Sequence, residues 1–124
     1  MSNANQLVVT YLAAWNERDQ KKRRDLVATT WSDDGLYIDA HRSGSGHDEI
    51  EAMIGKVQGQ FPGYRFSLAS GIETHNGYVR FSWEAGGTQD APLFVARTDF
   101  AVIAKDGRFR SVTGFTDAAP APAA

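Results

Sequence analysis

The sequence contains no cysteine, which excludes disulfide bonds, thiolate nucleophiles and thiolate metal ligands together. It has no apolar run of the roughly 18 residues that a membrane-spanning helix requires, and residues 1–6 lack the charged start and apolar stretch of a signal peptide. Positive charge is not in excess either, because 13 Lys and Arg stand against 15 Asp and Glu, for a net charge of −2. These absences argue against membrane and nucleic-acid partners and favour a cytoplasmic protein that binds small molecules.

Signatures of cofactor and metal sites are missing as well. Gly44 and Gly46 form a single Gly-x-Gly, and Glu49 stands where a dinucleotide-binding fingerprint has its third glycine. There is no Gly-x-Ser-x-Gly elbow, and the three histidines are not spaced as metal ligands. The sequence therefore predicts neither a metal site nor a cofactor.

What is present is the composition of an ordinary globular domain. Hydrophobic residues make up 42% and charged residues 23% of the 124 residues, which predicts one folded domain. We place that domain over residues 1–117. Residues 118–124 carry Pro120 and Pro122 among alanines and have nothing to pack, so they are expected to form a mobile tail.

Hydrophobic periodicity predicts helices in the first half of the chain and strands in the second. Apolar residues at helical spacing indicate helices over residues 5–19, about 20–31 and 45–61, and Lys21–Arg24 of the second helix are interpreted as a solvated face. Between the second and third helices, a short strand over residues 36–39 leads into a Gly/Ser loop.

Alternating apolar and polar residues after the third helix indicate four antiparallel strands. They span residues 64–73, 79–86, 93–104 and 109–115, with tight turns at residues 76–77 and 106–107. The order of elements predicts an α+β fold in which three helices pack on a curved, mainly antiparallel sheet and enclose a pocket. Trp15 and Trp83 are candidates for lining that pocket, although both also suit an ordinary core.

Two aspartates lie on apolar strands. If Asp39 pointed into an apolar pocket, burial would raise its pKa and make it a base near neutral pH; otherwise it caps a turn. Asp99 lies in the middle of a strand, where aspartate is rare. It is either ion-paired with Arg97 on the same face or alone among apolar groups and protonated. His41 is either an exposed loop residue or a titrating group at the pocket mouth.

Five segments carry a family resemblance: Tyr11–Asp19, Tyr37–Asp39, Gly46–Ile50, Thr98–Phe100 and Asp106–Arg108. With them the chain resembles the nuclear-transport-factor-2-like (NTF2-like) superfamily over roughly residues 5–117, in particular its SnoaL-like and ketosteroid-isomerase-like branches. The resemblance implies a cone-shaped fold, a homodimer and an isomerase or polyketide cyclase that works without a cofactor. Its ligand would be a small apolar or ketone-containing molecule.

The resemblance also implies roles for particular residues. Asp39 would remove a proton α to a carbonyl, while Tyr11 and a protonated Asp99 would donate hydrogen bonds to the enolate oxygen. The expected substrate-binding residues are Trp15, Trp83, Arg97 and His41.

Two alternatives to this interpretation stay open. Arg97 and Asp99 also resemble part of the Arg/Asp/Asp set of limonene-epoxide hydrolases, although Gly114 stands where the second acid is expected. The second alternative is a non-catalytic module for ligand binding or dimerisation, because a fold does not determine a function.

Overall fold

The computed structural model describes residues 4–86 and 94–118 of the chain. The helices are α1 (Ala4–Asn16), α2 (Gln20–Thr30) and α3 (His47–Gln60). The strands are β1 (Trp31–Ile38), β2 (Ser43–Ser45), β3 (Arg65–Leu68), β4 (Glu73–His75), β5 (Tyr78–Gly86), β6 (Phe94–Ile103) and β7 (Phe109–Ala118).

All strands in this part of the chain belong to one sheet. Its order is β2-β1-β7-β6-β5-β3, and β4 also pairs with β5. The pairing is antiparallel throughout except between β1 and β7, which run parallel. The predicted α+β fold, with three helices packed on a curved, mainly antiparallel sheet, is confirmed. Among the described residues, no helix is both long and apolar enough to cross a membrane.

The structure corrects three of the predicted element boundaries. Strand β1 begins at Trp31, where the sequence predicts a helix end followed by a turn at residues 32–35. The register of β1 with β7 shifts between Trp31 and Leu36, so residues 32–35 form a bulge within the strand. The predicted Gly/Ser loop includes the short strand β2, and the predicted strand over residues 64–73 is divided into β3 and β4. It divides because residues 69–72 loop out opposite only two residues of β5.

The helices are joined to one another by a buried ion pair that the sequence analysis missed. Arg23 lies in the basic run of α2 that was predicted to be solvated, yet it is buried. Its guanidinium contacts Glu51 at 2.8 Å and donates a hydrogen bond of 3.0 Å to Gln58, both on α3. Gln58 in turn donates to the main-chain oxygen of Trp15 on α1 at 2.8 Å. One arginine therefore ties the three helices together.

Side chains of α1 complete the core against the sheet. Tyr11 and Trp15 are buried one turn apart, and Trp15 packs against Trp83 of β5 with ring centroids 6.2 Å apart. At the end of α1 the amide of Asn16 pairs with the backbone of Phe66 on β3, donating at 2.7 Å and accepting at 2.8 Å. This end of the helix is thereby fixed above the open edge of the sheet. Ala118, the first residue of the predicted tail, is the last residue of β7, and residues 119–124 lie outside the described residues.

Candidate functional site

Gly114 in β7 lies at the centre of a polar cluster on the helix-facing side of the sheet. Strand β7 runs between β1 and β6, and Gly114 is the register partner of Asp99. A Cβ atom at position 114 would lie 2.9 Å from Asp99 Oδ1, 3.1 Å from Arg97 Nη2 and 3.2 Å from the Tyr37 hydroxyl oxygen. Because glycine has no Cβ, polar side chains from both neighbouring strands converge above its backbone.

Arg97 uses this space to reach across β7 to Asp39. Its Nη2 lies 2.9 Å from Asp39 Oδ2, and its Cζ lies 5.7 Å from the centroid of the Trp83 ring. Arg97 is 6% exposed. Its Nε and Nη2 make no hydrogen bond within the described residues, so the contact with Asp39 is an ion pair that leaves donor capacity unused. The sequence left two alternatives for Asp99, an ion pair with Arg97 or an isolated, protonated carboxyl group. Neither describes the site fully, because Arg97 pairs with Asp39 and not with Asp99.

Asp39 is surrounded by donors. The Tyr37 hydroxyl donates to Oδ2 at 2.7 Å, the amides of His41 and Arg42 donate to Oδ1 at 2.8 and 3.0 Å, and the Arg42 guanidinium lies 3.3 Å from Oδ2. Burial acts to raise the pKa of Asp39, but these hydrogen bonds and the two arginines outweigh it, so the pKa lies below its ordinary value. Of the two alternatives that the sequence left open for Asp39, the structure shows the turn cap and not the raised pKa. The side chain also has no exposed surface.

Asp99 has the opposite environment. The Tyr11 hydroxyl and Trp83 Nε1, the latter at 2.8 Å, both donate to its Oδ2, while Oδ1 has no hydrogen-bond partner in the described part of the chain. Asp99 is completely buried, and burial raises its pKa to about 6 in spite of these donors and of nearby Arg97. Burial next to Asp99 also raises the pKa of Tyr11 well above its usual value. The structure thus brings Tyr11 and Asp99 together, as the resemblance implied.

A cavity of about 220 Å³ opens beside this cluster. Its aromatic lining residues are Trp15, Tyr37, Phe61, Tyr64, Phe66 and Trp83, and its polar ones are His41, Arg42, Arg97 and Thr116. A second cavity of about 430 Å³ adjoins it, shares His41, Arg42, Val57 and Phe61, and adds Met53, Lys56 and Gln60. We call the first cavity the pocket and the second its mouth.

The structure separates the predicted site residues into two groups. The four expected substrate-binding residues all line the pocket, while the three expected catalytic residues, Tyr11, Asp39 and Asp99, are not among its described lining residues. They form a buried layer behind Arg97 and Tyr37. Their catalytic roles stay predictions, and the cations that line the pocket are Arg42 and Arg97.

Several residues of the site were not recognised from the sequence. Arg42 and Lys56 have ordinary surface sequence contexts, and nothing local distinguishes them from the other basic residues. Tyr37 was assigned only to a strand, although its hydroxyl completes the shell around Asp39. Within residues 4–86 and 94–118, no three His, Cys, Asp or Glu side chains come together as a metal ion would require.

Comparison with solved structures places this geometry in a family. An SnoaL-like proposed isomerase from Agrobacterium tumefaciens str. C58 is 38% identical, with a TM-score of 0.88 over 95% of this chain and 100% of that one. A proposed SnoaL-like polyketide cyclase from Jannaschia sp. CCS1 is 20% identical, with a TM-score of 0.70 over 92% and 87% of the two chains. An NTF2-like protein of unknown function from Exiguobacterium sp. 255-15 is 18% identical, with a TM-score of 0.73 over 90% and 98%.

These similarities differ in what they show. The two more distant structures share the fold, whereas identity of 38% across the full length of the Agrobacterium protein shows common family membership. The chain belongs to the SnoaL-like family, and it shares its fold with NTF2-like proteins. No protein-family model and no curated protein matches the sequence.

Proposed function

We propose that this protein is a small-molecule enzyme of the isomerase or cyclase type, which forms an enolate from an apolar carbonyl compound in its aromatic pocket. The observation that carries the proposal is Arg97, a guanidinium that lines the aromatic pocket and is held in place by Asp39 at 2.9 Å and by the Trp83 ring. The proposed activities of the Agrobacterium and Jannaschia proteins support the same class of reaction.

Arg97 suits the stabilisation of a charge that develops during the reaction. Removal of a proton α to a carbonyl transfers negative charge to the carbonyl oxygen, and a donor fixed beforehand stabilises that oxygen more than the neutral substrate. Asp39 and the Trp83 ring hold the guanidinium in place. The aromatic walls of the pocket exclude water, which strengthens the attraction between the guanidinium and the negatively charged oxygen. In this proposal Asp39 acts through Arg97 and is a positioning residue.

The geometry favours His41 over Asp39 as the group that takes the proton. Every position around the Asp39 carboxylate is occupied by a donor, and its lowered pKa makes it a weak base. The His41 ring lines both the pocket and its mouth, and histidine is the side chain that most often performs this step. Asp99 would act as a donor only if Oδ1 were protonated and a ligand reached that atom above Gly114, whereas the Tyr11 hydroxyl already donates to Asp99 Oδ2.

Exchange of α-protons with deuterium oxide tests the proposal without knowledge of the natural product. The probe is β-benzoylpropionate, an aryl ketone whose α-proton signal is followed by NMR, and the control is the buffer-catalysed rate. The wild-type protein should accelerate exchange. His41→Ala should lose at least about 10²-fold of that acceleration, and added imidazole should restore part of it. Rescue of Asp39→Ala by formate instead would identify Asp39 as the base.

A second candidate function is ligand binding without catalysis. It is favoured by the lowered pKa of Asp39, since the carboxylate that the family resemblance assigns as the base is a weak one here. The same NMR experiment separates the two candidates. Ligand-induced shifts without any acceleration of exchange would support a binding module and contradict the enzyme.

We also propose that a second copy of the chain covers the outer face of the sheet. Leu36 and Ile38 of β1, Phe100 of β6 and Phe115 of β7 are exposed there, each next in sequence to a buried residue that faces the helices. An apolar patch of this kind on a sheet suits a self-complementary twofold interface. The cytoplasmic location and the absence of nucleic-acid and membrane partners stay predictions.

A further inference from the structure

The charge of the pocket is opposite to the charge of the chain. The whole sequence carries a net charge of −2. In contrast, the described lining of the pocket and its mouth includes the cations Arg42, Lys56 and Arg97 and the imidazole of His41, but no aspartate or glutamate. A concave surface lined by one sign of charge concentrates ligands of the other sign.

Two carboxylates behind the lining offset these cations. Asp39 lies 2.9 Å from Arg97 and 3.3 Å from Arg42, and the buried Asp99 also attracts Arg97, although no ion pair joins these two side chains. Lys56 on α3 makes no ion pair within the described residues. Within the described residues, three cations against two carboxylates leave the pocket and its mouth with a net positive charge.

The cations also differ in depth. The Arg97 side chain is almost completely buried, whereas a quarter of the Arg42 side chain is exposed and Lys56 lies on the exposed surface of the mouth. Arg97 and Arg42 approach the same oxygen of Asp39, so these two guanidinium groups are neighbours, while aromatic rings that include Trp15 and Trp83 line the rest of the pocket. A ligand that matches this arrangement has an oxygen close to an anionic group, and an apolar body that extends from them along the aromatic rings.

We propose that the ligand is an apolar keto acid. Its ketone oxygen meets Arg97, its hydrocarbon part lies against the aromatic rings, and its carboxylate is bound at the mouth by Arg42 and Lys56. Guanidinium and ammonium groups form charge-assisted hydrogen bonds with carboxylates, and these are stronger where water is restricted. The ketone part of this assignment rests on the proposed function, while the carboxylate part rests on the charges alone.

Calorimetric titration with β-benzoylpropionate and with its methyl ester tests the assignment, because the ester keeps the aryl ketone and replaces the carboxylate by an uncharged group that is larger by one methyl. The acid should bind the wild-type protein at least about tenfold more tightly than the ester, and added salt should reduce the difference. Lys56→Gln should weaken binding of the acid and leave binding of the ester unchanged. Lys105→Gln, a change in an exposed turn away from the pocket, is the matched control.

Three results would overturn the proposal: equal affinity for acid and ester, no binding of either probe at millimolar concentration, or an equal effect of the two lysine substitutions. The proposed function fails separately. Preference for the acid without any proton exchange would retain the anionic ligand and contradict the enzyme, whereas exchange of the ester at the rate of the acid would retain the enzyme and contradict the anionic ligand.

Discussion

Arg97 of β6 reaches over the intervening strand β7 and places its Nη2 2.9 Å from Asp39 Oδ2 at the end of β1. The path is open because Gly114 of β7 has no side chain. This crossing has two consequences. It makes Asp39 the anchor of a cation, and it holds that cation at the wall of an aromatic pocket.

Gly114→Ala should disturb the crossing directly. The new Cβ would lie 2.9 Å from Asp99 Oδ1, and Asp99 is short and completely buried, so it has little room to move. Overpacking of this kind costs about 1–3 kcal/mol. Urea unfolding measures it. Gly59→Ala on exposed α3 is the control, with no heavy atom within 4 Å of its new Cβ, and should stabilise the protein by about 0.5–1 kcal/mol. Equal changes in the free energy of unfolding at both positions would show that the side chains of Asp99, Arg97 and Tyr37 do not fill the space above Gly114.

Asp99 should make stability depend on pH. Its pKa is raised from 3.8 to about 6 in the folded protein, because burial disfavours the charged form. The contribution of Asp99 to the free energy of unfolding is therefore fully present below pH 3.8 and is lost as the pH rises through about 6. Asp99→Asn keeps an acceptor for Tyr11 and Trp83 but does not titrate. Relative to wild type, the variant should therefore gain about 3 kcal/mol between pH 4 and pH 7, as an order of magnitude. Urea unfolding of both proteins across that range measures the gain, and a difference independent of pH would contradict the raised pKa.

The buried arginine between the helices should matter far more than its exposed neighbour. Arg23→Met leaves Glu51 buried without its cation, which typically costs about 3–5 kcal/mol. Arg24→Met removes an ion pair with Asp48 in which both side chains are at least half exposed, and should cost no more than about 1 kcal/mol. Chemical denaturation of the two variants compares them. Similar losses would mean that the ion pair of Arg23 does not join the helices in solution.

The proposed dimer gives a prediction about the outer face of the sheet. Phe115 is 59% exposed there, and Phe115→Arg would bury a charge at the interface between two copies. We expect light scattering to find a dimer for the wild type and a monomer for this variant. Val9→Arg, an exposed position of α1 on the helix layer, should leave the dimer intact. A monomeric wild type at micromolar concentration would contradict the dimer.

Local periodicity was sufficient for most of the fold. Helices α1 and α3 and strands β5, β6 and β7 follow from spacings of apolar residues, because each buries one face. The parallel pairing of β1 with β7 could not be predicted, since these strands are about 70 residues apart and a strand's own pattern does not specify its partner.

The site was predictable only in part, for a related reason. A local rule offers Arg97 a partner two residues away, Asp99, because both lie on one face of a strand. The partner in the structure is Asp39, which directly follows another strand, and the signal for it was Gly114, a glycine within an otherwise regular strand that permits a close approach from its neighbours. The sequence analysis treated that glycine as the absence of an acid.

The central claim is that Arg97 stabilises the enolate, and its most direct test is the kcat/KM for α-proton exchange of β-benzoylpropionate. Arg97→Met keeps the length of the side chain and removes its charge, so kcat/KM should fall by at least about 10²-fold. Arg110→Met, at an exposed position of β7, should retain the wild-type value. A wild-type rate in Arg97→Met, with the fold intact, would contradict the account.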